Sequence, residues 1–292
     1  MIITQLCGGL GNQMFQYAAG RSLAYSLNTE LKLDISLFRE GALREYHLSA
    51  FNITENIASH MDLKKVNRPL GWKVKHPVEA SRSMIQRMAT VKYVKESHFN
   101  FDPEILILSD NVYLDGNWQS EKYFKDIERI IREDFTLSEE PDYLNKQMAG
   151  KIRNCEAVSL HVRRGDYVSD PITTAYHGIC SEEYYCGAIS KLEGYVQNPH
   201  FFVFSDDPAW AKENIDTRYP TTIIDFNGSE RDYNDMRLMS LCKHHIIANS
   251  SFSWWGAWLS NNSHKIVISP KKWFNKPDIN SQDLIPEFWI RL

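Results

Sequence analysis

The sequence predicts an α/β fold made of two Rossmann-like halves, and three observations carry that expectation. The chain opens with an apolar strand, a glycine-rich turn and a helix. Its second half alternates short apolar segments with amphipathic ones. Polar residues able to do chemistry cluster where the apolar segments stop. Alternation of this kind marks a parallel sheet covered by helices on both faces. A length of 292 residues suits two domains of ordinary size.

Residues 2–6 read as a short buried strand. Gly8-Gly9-Leu10-Gly11 turns the chain, and residues 12–27 carry Phe15, Ala18, Ala19, Leu23 and Leu27 at helical spacing. Residues 31–35 alternate as a second strand. Residues 60–100 become polar and basic (Lys64, Lys65, Arg68, Lys73, Lys75, Arg82, Arg87), with Pro69 and Pro77 as breakers, and read as surface helices and loops. Residues 111–114 form a strand, and 120–135 one amphipathic helix with Ser120 as N-cap. Ser138-Glu139-Glu140-Pro141-Asp142 reads as a link between the halves. Beyond it, strands are expected over 157–162, 201–204, 222–226, 245–248 and 265–268. Helices are expected over 181–196, 208–213, 230–242 and 252–259. Five strands alternating with helices describe a doubly wound sheet, with ligands at the carboxyl ends of the strands. Two such halves facing a cleft is the expected architecture.

Composition narrows the function classes. The chain is 43% hydrophobic and 24% charged with a net charge of -4, which excludes disorder as the default and argues against coating nucleic acid. The eight tryptophans suit sugar rings as well as a core. Five cysteines (Cys7, Cys155, Cys180, Cys186, Cys242) make an odd number without a Cys-x-x-Cys pair, so free thiols in a reducing cytoplasm are expected. The N-terminus enters a strand without a basic leader, and no apolar run nears the ~20 residues that span a bilayer. A cytoplasmic protein without a membrane span is expected.

Four segments carry chemistry. His161-Val162-Arg163-Arg164-Gly165-Asp166-Tyr167 begins where an apolar strand ends. An arginine there can bond phosphate oxygens through its planar fork, although a solvated basic turn would look similar for Arg-Arg alone. Gly8-Gly9-Leu10-Gly11-Asn12-Gln13 lies between strand and helix, where backbone N–H groups can approach phosphate. It lacks the third glycine of the dinucleotide fingerprint and the Gly-Lys of a P-loop. Phe204-Ser205-Asp206-Asp207-Pro208 places carboxylates at another strand end, where one can accept the N–H protons of guanine and one can cap a helix. Asn249-Ser250-Ser251-Phe252 offers hydroxyl and N–H donors at a strand-to-helix junction, while Trp254, Trp255 and Trp258 read as core. No Asp-x-Asp triplet stands near a strand end to present a divalent ion.

Together these segments resemble glycosyltransferase family 11, the α-1,2-fucosyltransferases. The resemblance runs from Gly8-Gly9-Leu10-Gly11-Asn12-Gln13-Met14-Phe15-Gln16-Tyr17-Ala18 through Trp118-Gln119-Ser120-Glu121-Lys122-Tyr123-Phe124 to the three strand-end motifs of the second half. It implies a GT-B-like fold with an acceptor-side domain over 1–145 and a GDP-fucose-binding domain over 146–292, and a C-terminal helix that returns to the first. It implies GDP-β-L-fucose as donor, inversion to an α-1,2 linkage on O2 of a terminal galactose, and no metal or other cofactor. Size resembles the bacterial members; lactose, a blood-group-type chain and an O-antigen repeat unit all stand as acceptors, and peripheral contact with a lipid-linked glycan is compatible.

By the same resemblance, Arg163 matches the residue that holds the β-phosphate and Asp206 the acid that reads guanine. Asn12 reaches the diphosphate from the opposite domain. The expected donor-binding set is Gly11, Asn12, His161, Arg163, Asp206, Asn249, Ser250, Ser251 and Phe252; the expected catalytic set is Arg163, Asp166 and Asn12. Asp166, Asp115, Glu182, His161 and a phosphate oxygen of the leaving group all stand as acceptors of the hydroxyl proton. Two rival readings are a transferase for another GDP-sugar or linkage, and a non-catalytic GDP- or glycan-binding protein.

Overall fold

A strand buried on both faces needs apolar residues at consecutive positions and helices above and below it. The computed structural model, which describes residues 1–38, 44–67 and 90–292, builds two such sheets. The chain divides into one compact unit over Met1–Thr136 and another over Leu137–Leu292. The division falls earlier than the 145/146 boundary read from the sequence. A helix starting at Tyr143 packs Ala149 and Ile152 into the second unit's core and follows directly on the Ser138–Asp142 stretch read as the link.

The first unit runs β1 (Ile2–Gln5), α1 (Leu10–Ser26), β2 (Leu31–Asp34), α2 (His60–Lys64), β3 (Val66–Asn67), β4 (Val91–Lys95), β5 (Val112–Asp115) and α3 (Glu128–Asp134). Its strands lie parallel in the order β2-β1-β5-β4-β3. Met14, Phe15, Ala18 and Leu23 of α1 are buried, as the helical spacing predicts. Strands β3 and β4 fall in the region read as surface helices and loops; Val91-Lys92-Tyr93-Val94-Lys95 hides its strand character behind two lysines. Arg68, Pro69, Lys73, Lys75, Pro77, Arg82 and Arg87 lie outside the described residues. The helix expected over 120–135 is two 3-10 turns (Glu121–Tyr123, Lys125–Ile127) followed by α3. Tyr123, Phe124, Ile127 and Ile131 are all buried, so periodicity identified the inward face but not the tighter turns that present it.

The second unit runs α4 (Tyr143–Arg153), β6 (Glu156–Val162), α5 (Gly165–Ser169), α6 (Pro171–His177), α7 (Glu182–Glu193), β7 (Pro199–Ser205), α8 (Pro208–Asn214), β8 (Thr221–Ile224), α9 (Asp232–Leu241), β9 (His244–Ile246), α10 (Ser251–Leu259), β10 (Val267–Ser269) and β11 (Ile290–Arg291). Six parallel strands take the order β11-β10-β9-β6-β7-β8. Alternate residues of β7 enter opposite cores: Phe201 and Val203 pack with Tyr185, Ile189 and Leu192 of α7, and Phe202 and Phe204 with Leu238 and Met239 of α9. The expected C-terminal helix does not form. The chain end instead adds β11 beside β10, in register Ile268↔Ile290, and so stays with the second unit. Trp254, Trp255 and Trp258 pack against one another in the core. All five cysteines are free, and among the described residues no helix is long and apolar enough to cross a membrane.

Chain order places a switch between β6 and β9. After β6 the chain builds outward through β7 and β8, then returns to the other side of β6 with β9. The loops leaving these two strands therefore diverge and open a crevice at their carboxyl ends. Leu160, fully buried in β6, is the test of that core: Leu160→Ala should cost ~2–5 kcal/mol in urea unfolding, whereas Phe288→Ser, at a 91% exposed site, should stay within ~0.5 kcal/mol.

Candidate active site

The apolar run of β6 stops at Val162, and the next residue is the first charge the strand can carry out of the core. Arg163 is held from two sides. Its Nη2 donates to Asp166 Oδ1 at 2.6 Å, and its Nη1 lies 3.0 Å from Asp206 Oδ2 at the end of β7. Burial opposes the charge on Arg163, but Asp206 and Asp166 together outweigh it and keep the guanidinium protonated. The ring of Tyr167 lies 5.4 Å from the guanidinium carbon, and the Tyr167 hydroxyl donates to the Asn249 carbonyl at 3.3 Å. Two carboxylates and a ring thus fix the plane of one cation at the switch point while its remaining N–H groups stay available for a ligand.

Arg164 points elsewhere. Its guanidinium stacks 4.0 Å over Trp210, and its Nε donates to Asp207 Oδ2 at 3.2 Å. Asp207 also accepts from the Trp210 N–H as the N-cap of α8, so of the two adjacent acids Asp207 is the capping one. Asp206, expected to read guanine, holds its two neighbours in this structure. Its Oδ1 accepts from the Arg164 N–H at 2.8 Å and its Oδ2 meets Arg163, so this structure gives it a positioning contact. Gly165 leaves it room, because a Cβ there would lie 2.6 Å from Asp206 Oδ2. Asp166, expected in a catalytic role, is likewise engaged in orienting Arg163.

His161 points inward. It is 5% exposed, its ring lies 5.6 Å from that of Phe252, and its buried Nδ1 has no partner. Burial first, and the Arg163 charge second, lower its pKa to about 3. A ring whose pKa is lowered in this way is a weak proton acceptor at neutral pH. Of the others, Glu182 is exposed in the first turn of α7, and Asp115 ends β5 and accepts from the Tyr93 hydroxyl.

Across the switch point, β9 leads through Asn249 and Ser250 into α10. Asn249, expected to bind the donor, has a structural contact: its Nδ2 lies within hydrogen-bond distance of the carbonyls of His177 (2.9 Å), Gly178 (3.3 Å) and Trp273 (3.2 Å), which anchors the chain following α6. Ser250 stands at the N-cap of α10 without a side-chain cap hydrogen bond, and Ser251 and Phe252 begin the helix. The positive end of α10 therefore opens on the same crevice as Arg163, a geometry suited to an anion.

Gly11 and Asn12 belong to the first unit. They sit in the first turn of α1, just beyond β1, and Asn12 Oδ1 accepts from Gln119 Nε2 at 2.9 Å. This sheet has its own switch point between β1 and β5, and Asn12 and Gln119 follow those two strands. Gln13, adjacent to Asn12, is fully buried and ties Gly8 to residues 45 and 47. The positioning duties of Tyr167 and Gln119 were missed by sequence reasoning, although both stand inside the motifs that it singled out.

The model of Glycosyl transferase family 11 matches residues 1–292. The chain is 36% identical to an alpha-1,2-colitosyltransferase of Escherichia coli, over 100% of this chain and 99% of that protein. It is 35% identical to the O-antigen biosynthesis glycosyltransferase WbnK of Escherichia coli, over 98% and 99%. A mouse (Mus musculus) galactoside alpha-(1,2)-fucosyltransferase 1 is 28% identical over 87% of this chain and 62% of that one. Among solved structures, an Arabidopsis thaliana FUT1 mutant in complex with GDP shares the fold, with a TM-score of 0.51 at 12% identity over 91% of this chain and 69% of that chain.

Two outcomes follow from the site. Arg163→Ala should lower kcat on the order of 10²-fold while the protein stays folded, because a preorganised cation facing developing negative charge is lost. For His161, the unfolded ring titrates near 6.5, so between that value and about 3 the unfolded chain binds one more proton and stability falls as pH falls. His161→Phe should flatten the fall in unfolding free energy below about pH 6 by up to ~1.4 kcal/mol per pH unit, measured by urea titration at each pH.

Proposed function

The chain belongs to glycosyl transferase family 11, and on that premise we propose that it transfers L-fucose from GDP-β-L-fucose to O2 of a terminal galactose, with inversion to an α-1,2 linkage. The observation that carries this reading is Arg163, pinned by Asp166 and Asp206 at the switch point of the second sheet and faced by the open N-terminus of α10. A diphosphate leaving group gathers negative charge as its bond to the sugar breaks, and a fixed guanidinium with a helix N-terminus stabilises that charge where it forms. In this reading Arg163, Ser250, Ser251 and Phe252 meet the diphosphate, and Asp166 and Asp206 keep Arg163 aimed. The guanidinium and helix N-terminus supply the positive charge without a metal. The acceptor in this reading is a galactose-terminated glycan handled in the cytoplasm.

A second donor is favoured by a specific finding. The Escherichia coli relative at 36% identity is named for colitose rather than fucose and covers this chain from end to end. A colitosyl donor would use the same diphosphate contacts, because those residues meet phosphate and not the sugar. The α-1,2 linkage is common to the names of that relative and of the mouse enzyme.

The deciding assay offers GDP-fucose, GDP-colitose and GDP-mannose with a panel of β-galactosides, and assigns the product linkage by NMR. Fucose on galactose O2, formed equally well with EDTA present, is the expected result. Exclusive use of GDP-colitose would move the donor, and binding of GDP without turnover of any sugar would overturn the transferase reading.

A further inference from the structure

The end of α6 is pinned from two distant strands. Asn249, after β9, places its Nδ2 2.9 Å from the His177 carbonyl and 3.3 Å from that of Gly178. Asn275, after β10, donates its backbone N–H to the Tyr176 carbonyl at 2.9 Å and its Nδ2 to the Thr174 carbonyl at 3.1 Å. Gly178 turns the chain at φ 69, and a Cβ there would lie 2.6 Å from Asn275 Nδ2. These contacts fix the backbone on either side of one half-buried side chain, His177. Its ring is set among aromatic neighbours. It lies flat on Tyr167, with centroids 4.7 Å apart and planes at 12°, while Tyr176 meets it at 4.8 Å and 72° and Phe274 at 5.5 Å and 40°. Its buried Nδ1 has no hydrogen-bond partner. Tyr167 in turn has the Arg163 guanidinium carbon 5.4 Å from its ring, and its carbonyl accepts from Thr174 Oγ1 at 2.6 Å.

We propose that His177 is a positioning residue for Arg163: laid flat on Tyr167, it holds that ring against the guanidinium, so that the cation keeps its plane as a diphosphate binds and departs. Every residue involved belongs to the second unit. The inference deepens the transferase reading above and rests on it, since the charge to be met is that of the leaving nucleoside diphosphate. Hydrogen bonds to a guanidinium run near its plane, so Asp166 and Asp206 restrain Arg163 sideways. The Tyr167 ring restrains it in the direction that they leave open. Tyr167 can do so only while it does not swing away, and its hydroxyl contact with the Asn249 carbonyl is long at 3.3 Å. The flat face of His177 supplies the second restraint, because aromatic rings attract at this separation whatever hydrogen bonds their edges lack. The imidazole also brings no competing cation. Burial lowers its pKa from the ordinary 6.5; Asp166 opposes the fall and the Arg163 charge adds to it. Uncharged at neutral pH, the ring leaves Asp166 to Arg163.

His177→Leu and His177→Phe both fill the space with carbon, and only the second keeps a flat ring. His177→Leu should lower kcat on the order of 10-fold, as misorientation of a catalytic group does. The donor KM should change less than about 2-fold, because the contact matters most as the leaving charge forms. His177→Phe should recover most of the loss. In an Arg163→Ala background His177→Leu should cost less than about 2-fold, since residues acting as one unit are not additive. The Arg163 Nε–H NMR signal, assigned by its loss in Arg163→Ala, should broaden in His177→Leu and stay sharp in His177→Phe. A signal that stays sharp in His177→Leu would overturn the proposal. So would equal kcat in the two variants, whether lost or kept, or an undiminished loss in the Arg163→Ala background. If the wild-type chain transfers no sugar, the transferase reading falls by itself, and the NMR comparison still decides whether His177 holds Arg163.

Discussion

A strand buried on both faces has no place for charge along its length. In β6 the residues from Ala157 to Val162 are all buried, and helices cover both sides of the sheet. Charge is admitted only beyond the strand's carboxyl end, where Arg163 stands. The rest of the second unit depends on that constraint. The glycine at 165 lets Asp206 approach, Asp166 closes the other side, and Tyr167 braces the cation against the strand that returns on the opposite flank.

The cost of this arrangement is partial neutralisation. Arg163 and Arg164 face Asp166, Asp206 and Asp207, so the cluster is not strongly positive. A cation paired in this way attracts a distant anion less, but it meets a bound one with its plane already set, and preorganisation rather than net charge lowers a barrier. The N-terminus of α10, whose first turn carries no acidic residue, supplies positive character. His161 adds none, because burial keeps its ring neutral. In the proposed transferase, the leaving diphosphate would meet fixed dipoles and one oriented guanidinium.

The first unit follows the same rule with different chemistry. Its sheet also switches direction, between β1 and β5, and the turns beyond those strands hold Asn12, Gln119 and Glu96, whose carboxylate accepts from the Asn117 N–H. Holding Trp118 at positive φ costs on the order of 1–3 kcal/mol, which packing of its buried ring offsets. The strained residue and the orphaned indole N–H sit together at one carboxyl edge.

Much of this was legible in the chain itself. Apolar runs of strand length reported the five longer segments of the second sheet, and the abrupt change to polar residues after Val162, Phe204 and Ala248 marked the ends where ligands gather. Those signals are local, since burial on both faces demands consecutive apolar residues whatever the partners are. The strand 91–95 was not legible, because its lysines reflect an edge-side environment set by neighbours far away in sequence. The strand at 290–291 was too short to carry a pattern, and the helix over 143–153 buries only Asn145, Ala149 and Ile152. The duties of Asp206 and Asn249 were also beyond the sequence. A carboxylate at a strand end can read a base or hold an arginine, and only the register of β6 against β7, with Gly165 leaving the gap, shows the contact with the arginine. The sequence by itself determined which residues would stand at the carboxyl ends, because apolar strands must end before charge begins; which of them point outward and which brace their neighbours was decided by tertiary structure, because that depends on distances between strands far apart in the chain.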